Sequence, residues 1–141
     1  MVDKDLLLAK ASSVRRHLKR VKEKSKVDLK AFLSDVDRQE IVMFNLQMAI
    51  QNCIDIAAHI ISEEGLGIPD SISEMFYLLQ ENGYLDNLLT EKMVKAAGFR
   101  NLIVHEYAKI EVKQVFDISQ KDIKDLNEYL KSVLKKLGIA E

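Results

Sequence analysis

The pattern that most constrains the fold is the stretch from about Asp35 to Glu64, which reads as one uninterrupted helix. Leu46, Ile50, Cys53, Ala57 and Ile60 recur at spacings of three and four, and Val42, Ala49 and Ile56 widen the stripe. A band this broad predicts a helix buried on more than half its surface, so other elements must pack around it. At 141 residues with 48% apolar content, the chain has the size to supply them within one globular domain spanning residues 1–141.

The flanking sequence supplies more helices. Leu7, Ala11, Val14, Leu18 and Val21 mark a first helix from about Asp3 to Glu23. Lys26 to Ser34 reads as a short connecting turn of helix with Asp28 as its cap. Gly65, Gly67 and Pro69 end the long helix. Ser71-Ile-Ser-Glu74 is a capping-box pattern that opens a helix from Ile72 to about Glu81, and Asn82-Gly83 stops it. Asp86 or Asn87 caps the next helix, which carries Leu88, Leu89 and Val94 and runs to His105. Beyond a loop or frayed turn after Tyr107, a last helical region covers about Val112 to Leu137, with an interruption expected near Asp117 to Ser119. Its stripe is Ile123, Leu126, Leu130, Val133 and Leu137, with Phe116 and Tyr129 as packing residues. Five Gly, one Pro and few strand-like alternations make this an all-α chain. The expected architecture is an up-and-down antiparallel bundle of about five helices.

Composition narrows the setting. Cys53 is the only cysteine, so an intrachain disulfide and a cysteine-based zinc site are both excluded, which suits a reducing compartment. No leading apolar run resembles a signal peptide and no stretch reads as a membrane span; the expected location is the cytoplasm. Asp55 and His59 stand at i and i+4 without further ligands nearby, and are read as a hydrogen-bonded, partly buried histidine rather than a metal pair. Charge is distributed unevenly. Residues 1–30 hold ten Lys or Arg against four acids, whereas the other 111 residues hold 11 basic and 18 acidic. That basic segment would attract RNA phosphate or an acidic protein surface, or serve as a solvated face, since no aromatics interleave its charges. His17 lies in it and is expected to be exposed.

Chemistry concentrates in residues 98 to 107, GFRNLIVHEY. Arg100 and His105 stand within an apolar helical run, about 140° apart around an ideal helix, while Asn101 shares a face with His105. A histidine in a last turn meets the negative end of the helix dipole, and imidazole can carry protons near neutrality. A guanidinium offers a planar fork of donors to phosphate oxygens. RNA brings its own nucleophile in the 2′-hydroxyl, so an acid, a base and a cation suffice and no metal is required. This segment carries one imidazole, which suggests a two-fold dimer that brings two together. Gly98, inside the helical pattern, suggests close approach of a facing helix or a second subunit. A non-catalytic nucleotide-binding or adaptor subunit and a purely structural dimer are the competing readings of the same residues.

With FNLQMAIQNCIDIAAHII (44–61), IPDSISEMFYLL (68–79) and GFRNLIVHEY, the chain resembles the HepT-like branch of the HEPN superfamily from about Val36 to Leu130. The family's Arg-x4-6-His motif falls on Arg100, Asn101 and His105, and its His-x-Tyr extension on His105 and Tyr107. The resemblance implies a HEPN-like helical fold and a homodimeric, metal-independent endoribonuclease toxin acting on RNA without a cofactor. Arg100 and His105 would be catalytic and Asn101 supporting. An MntA-like nucleotidyltransferase antitoxin would restrain it, with Tyr107 the candidate for AMPylation.

Overall fold

Five helices begin on an acidic or hydroxyl side chain that accepts a backbone N–H otherwise left without a partner. The computed structural model describes residues 1–141. In α1 (Lys4–Lys24), Asp3 accepts from Leu6 N–H at 3.1 Å; in α2 (Leu29–Leu33), Asp28 accepts from Ala31 at 2.8 Å. Asp35 accepts from Arg38 at 3.1 Å to start α3 (Val36–Glu64), and Ser71 from Glu74 at 3.1 Å to start α4 (Ile72–Glu81). The Glu74 carboxylate reaches back to the Asp70 N–H at 3.0 Å, one residue earlier than the usual capping box. Asp86 accepts from Leu89 at 2.8 Å to open α5 (Asn87–His105). A 3-10 turn over Tyr107–Lys109 leads into α6 (Val112–Lys121) and α7 (Ile123–Leu137). α3 ends on Gly65 at φ 61°, a left-handed conformation that glycine adopts without steric cost.

The chain is all helical, as expected, but with seven α-helices rather than about five. Two differences account for the count. α2 is a helix in its own right, and the C-terminal region divides at Asp122, not near Asp117 to Ser119. Asp122 keeps right-handed helical backbone angles (φ −97°, ψ −11°), so the division is a lapse in hydrogen bonding without a helix-breaking residue.

α3 occupies the centre and touches every other α-helix. Fourteen of its 29 residues are buried. It is long and apolar enough by composition alone to cross a membrane, contrary to the sequence expectation that no stretch qualifies, yet 61% of that apolar window is buried inside the fold. One core of 32 buried apolar residues joins the helices; burying each large side chain contributes about 1.5–3 kcal/mol.

Polar pairs set the register of α1 on α3. Asp3 N–H donates to His59 Nε2 at 2.9 Å, Lys10 pairs with Asp55 at 3.1 Å, Asn52 donates to Ser13 Oγ at 3.2 Å, and His17 Nδ1 meets Asn45 Oδ1 at 2.8 Å. Residue numbers rise along one helix as they fall along the other, so the two run antiparallel. His59 is thus hydrogen-bonded and half-buried, as its sequence context suggests. His17 departs from expectation: α3 supplies it with a partner and half-buries it. On the opposite side Tyr129, fully buried in α7, donates to the Cys53 carbonyl at 2.9 Å and meets Phe76 edge-on at 5.8 Å.

Candidate functional site

Arg100, Asn101 and His105 lie in the last two turns of α5, and Tyr107 follows just beyond its end. Leu89, Met93, Ala97, Phe99 and Ile103 anchor it against the core, so its remaining faces are open to other uses. Arg100 lies half-buried at the edge of that anchored face. Its Nη1 donates to the Asn101 side-chain oxygen at 3.0 Å, and its buried Nε has no hydrogen-bond partner. None of the seven ion pairs in the chain includes it. A guanidinium partly withdrawn from water with no carboxylate beside it lacks compensation for its lost hydration, and an incoming anion would provide it.

His105 is the last residue of α5, exposed and without a hydrogen bond. Sharing a helix face with Asn101 does not join them, because the Asn101 oxygen is taken by Arg100; the amide NH2 remains free to meet a ligand. No bond links Arg100 with His105 either, and their spacing directs them about 140° apart around α5. A single chain therefore presents the two groups on separate faces.

Tyr107 opens the 3-10 turn with 52% exposure and an unpartnered hydroxyl. The other three tyrosines are engaged. Tyr77 donates to Glu91 at 2.9 Å, which raises its phenol above the ordinary value; burial does the same to Tyr84 and, more strongly, to Tyr129. Burial, followed by the nearby Asp55 charge, also pushes the Cys53 thiol up, which removes it as a nucleophile near neutrality.

Gly98 is exposed, and a Cβ built there would meet nothing within 4 Å. The facing-helix explanation for this glycine is thereby overturned. A separate cavity of about 390 Å³ opens between α5 and helices α3, α6 and α7, bordered by Phe99, Leu102 and the Lys92–Asp125 pair at 3.3 Å. None of the four predicted residues lines it.

Residues 14–133 match the family model described as Ribonuclease HepT-like. The chain is 32% identical over 126 residues to the mRNA nuclease HepT of Shewanella oneidensis, covering 89% of this chain and 94% of that one. It is 34% identical over 101 residues to the tRNA nuclease HepT of Aphanizomenon flos-aquae, covering 72% and 69%. Its structure resembles the tri-AMPylated HEPN toxin of Shewanella oneidensis in complex with its MNT antitoxin, with a TM-score of 0.86 at 30% identity over 93% of this chain and 98% of that one.

Proposed function

The chain belongs to the HepT-like ribonuclease family and is an endoribonuclease of the HEPN toxin type, and from that premise we propose that Arg100 and His105 of two copies form its composite, metal-independent RNA-cleaving site. The observation that carries this reading is the half-buried Arg100 guanidinium, which has no carboxylate partner and lies on the same helix end as a free, exposed imidazole. In the reaction, one His105 takes the proton of the RNA 2′-hydroxyl as its oxygen bonds to phosphorus. The bond from phosphorus to the 5′-oxygen then breaks, and the His105 of the other copy, protonated at the start, gives its proton to the leaving oxygen. Arg100 holds the phosphate and stabilises the charge that develops on its equatorial oxygens, while Asn101 orients the guanidinium. The products are a 2′,3′-cyclic phosphate and a 5′-hydroxyl. RNA as substrate and the single reduced thiol of Cys53 fit a cytoplasmic setting.

The partner in this reading is an MntA-like nucleotidyltransferase antitoxin. The Shewanella toxin is AMPylated in its complex, and Tyr107 is the one tyrosine here whose hydroxyl is both exposed and unpaired. Its oxygen would attack the α-phosphorus of ATP, releasing pyrophosphate and leaving negative charge where the RNA phosphate must approach.

The test is cleavage of RNA by the wild-type chain and by Arg100→Ala and His105→Ala. Each substitution should lower the rate about 100-fold or more with helicity unchanged. Wild-type cleavage should persist in EDTA and yield cyclic phosphate ends. A folded wild-type chain that never cleaves RNA but binds nucleotide through Arg100 would establish the adaptor reading instead.

A further inference from the structure

Tertiary packing supplies the basic first helix with the aromatic group that its own sequence lacks. Between α1 and α3 runs a shallow groove of about 480 Å³, bordered by Arg16, His17, Lys19 and Arg20 from one helix and Phe44 and Asn45 from the other. Glu23 is the only carboxylate lining it, and it meets Arg20 at 3.9 Å, at the limit of an ion pair. Arg16 and Lys19 have no acidic partner, whereas Lys10 and Arg15 on the same helix are paired to Asp55 and Glu141. Phe44 remains 56% exposed in this setting, with His17 edge-on at a centroid distance of 6.3 Å.

The hydrogen bonds around His17 define what it offers. Asn45 donates its NH2 to the Ile41 carbonyl at 2.8 Å, so its oxygen is the atom facing His17 Nδ1, which must therefore be the donor. In the neutral ring that leaves Nε2 as a lone-pair acceptor without a partner in the chain. The groove thus combines a cluster of cations for phosphate, an aromatic ring for a base and an acceptor suited to a 2′-hydroxyl donor.

We infer that this α1–α3 groove is a second RNA-binding surface, which holds a single-stranded part of the substrate away from the bond that is cut. The inference rests on the chain being an RNA nuclease. α1 and α5 both pack on α3 without touching one another, so the groove is separate from the segment bearing Arg100 and His105. A strand held at both places is several nucleotides long, and the preferred substrate is accordingly an extended single strand rather than a dinucleotide or a closed duplex.

The experiment uses the full chain carrying His105→Ala, so that RNA is bound but not consumed, with a labelled oligouridylate of about 20 nucleotides as probe. Fluorescence anisotropy should show Phe44→Ala weakening binding about tenfold and Phe44→Tyr, which keeps a stacking ring, restoring it. Arg16→Gln combined with Arg20→Gln should lower the slope of log affinity against log salt by about 1.4, the loss of two single-strand phosphate contacts. RNA should bind more tightly than DNA of matching sequence, and His17→Phe should narrow that difference. Unchanged RNA affinity in both the Phe44→Ala and the double-arginine variants overturns the inference. So does a result in which those variants lose affinity for the antitoxin, or self-association, while holding RNA normally, because the groove is then a protein interface. All these substitutions fall on exposed or half-buried side chains, and circular dichroism of each variant should match the wild type. Loss of RNA cleavage in the wild type with groove binding intact would refute the catalytic reading alone; normal cleavage with groove variants that bind normally would refute only the groove.

Discussion

Replacing Gly98 by Ala separates the fold of one chain from the assembly of two. Gly98 lies in the interior of α5, outside the left-handed region of backbone space, with open space where a Cβ would stand. Alanine is better than glycine in a helix interior by about 0.8–1.0 kcal/mol, chiefly because glycine loses more backbone freedom on folding. An unfolding entropy of about 2.1 cal/mol/K per residue gives roughly 0.3 kcal/mol/K for this length, so the isolated chain should melt about 3 °C higher. If instead the 98–107 segments of two copies face each other, the added methyl group enters a crowded contact, where overpacking costs about 1–3 kcal/mol. Dimer dissociation should then increase about 5- to 150-fold, with RNA cleavage falling in step. Thermal melts at dilute and concentrated protein, together with light scattering and a cleavage assay, measure all three quantities. A lower melting temperature in dilute, monomeric protein would refute the open-surface account of Gly98. A higher one at every concentration, with dimerisation and cleavage intact, would refute the close approach of two α5 helices there.

Tyr129→Phe removes the buried hydrogen bond to the Cys53 carbonyl while keeping the ring against Phe76, and should lower stability in denaturant melts by about 0.5–1.5 kcal/mol; no loss would mean that this bond does not hold α7 to α3. Burial raises both the Tyr129 phenol and the Cys53 thiol, so above their ordinary values of 10.0 and 9.0 the unfolded chain has released protons that the folded chain retains. Stability should therefore be full at lower pH and fall as pH rises past 9, by up to about 1.4 kcal/mol per pH unit for each group, and pH-dependent melts of wild type and Tyr129→Phe should show a shallower decline in the variant. Cys53 should resist alkylation by iodoacetamide in the folded chain and react on unfolding; rapid labelling of native protein would contradict its burial. Co-expression with an MntA-like nucleotidyltransferase should add nucleotide-sized masses that disappear in Tyr107→Phe, and additions that persist would direct attention to another residue.

The helices were legible in the amino-acid order because their determinants repeat within a few residues. All five stripe positions read in the first helix are buried, and Asp28, Ser71 and Asp86 cap the helices they were expected to begin. The division at Asp122 was not legible, since it has neither glycine nor proline and barely alters the backbone. Residue identities also single out Arg100, Asn101, His105 and Tyr107, because charge and proton-carrying groups stand out within an apolar helix. Periodicity says which face a residue occupies; it does not say what lies opposite. Packing alone determined that Asn101 bonds Arg100 rather than His105, that Gly98 faces open space, and that Asn45 and Phe44 from α3 come to rest beside His17 on the basic helix. These pairings depend on how helices distant in sequence settle against one another, and that arrangement follows from the shared core rather than from any local run of residues.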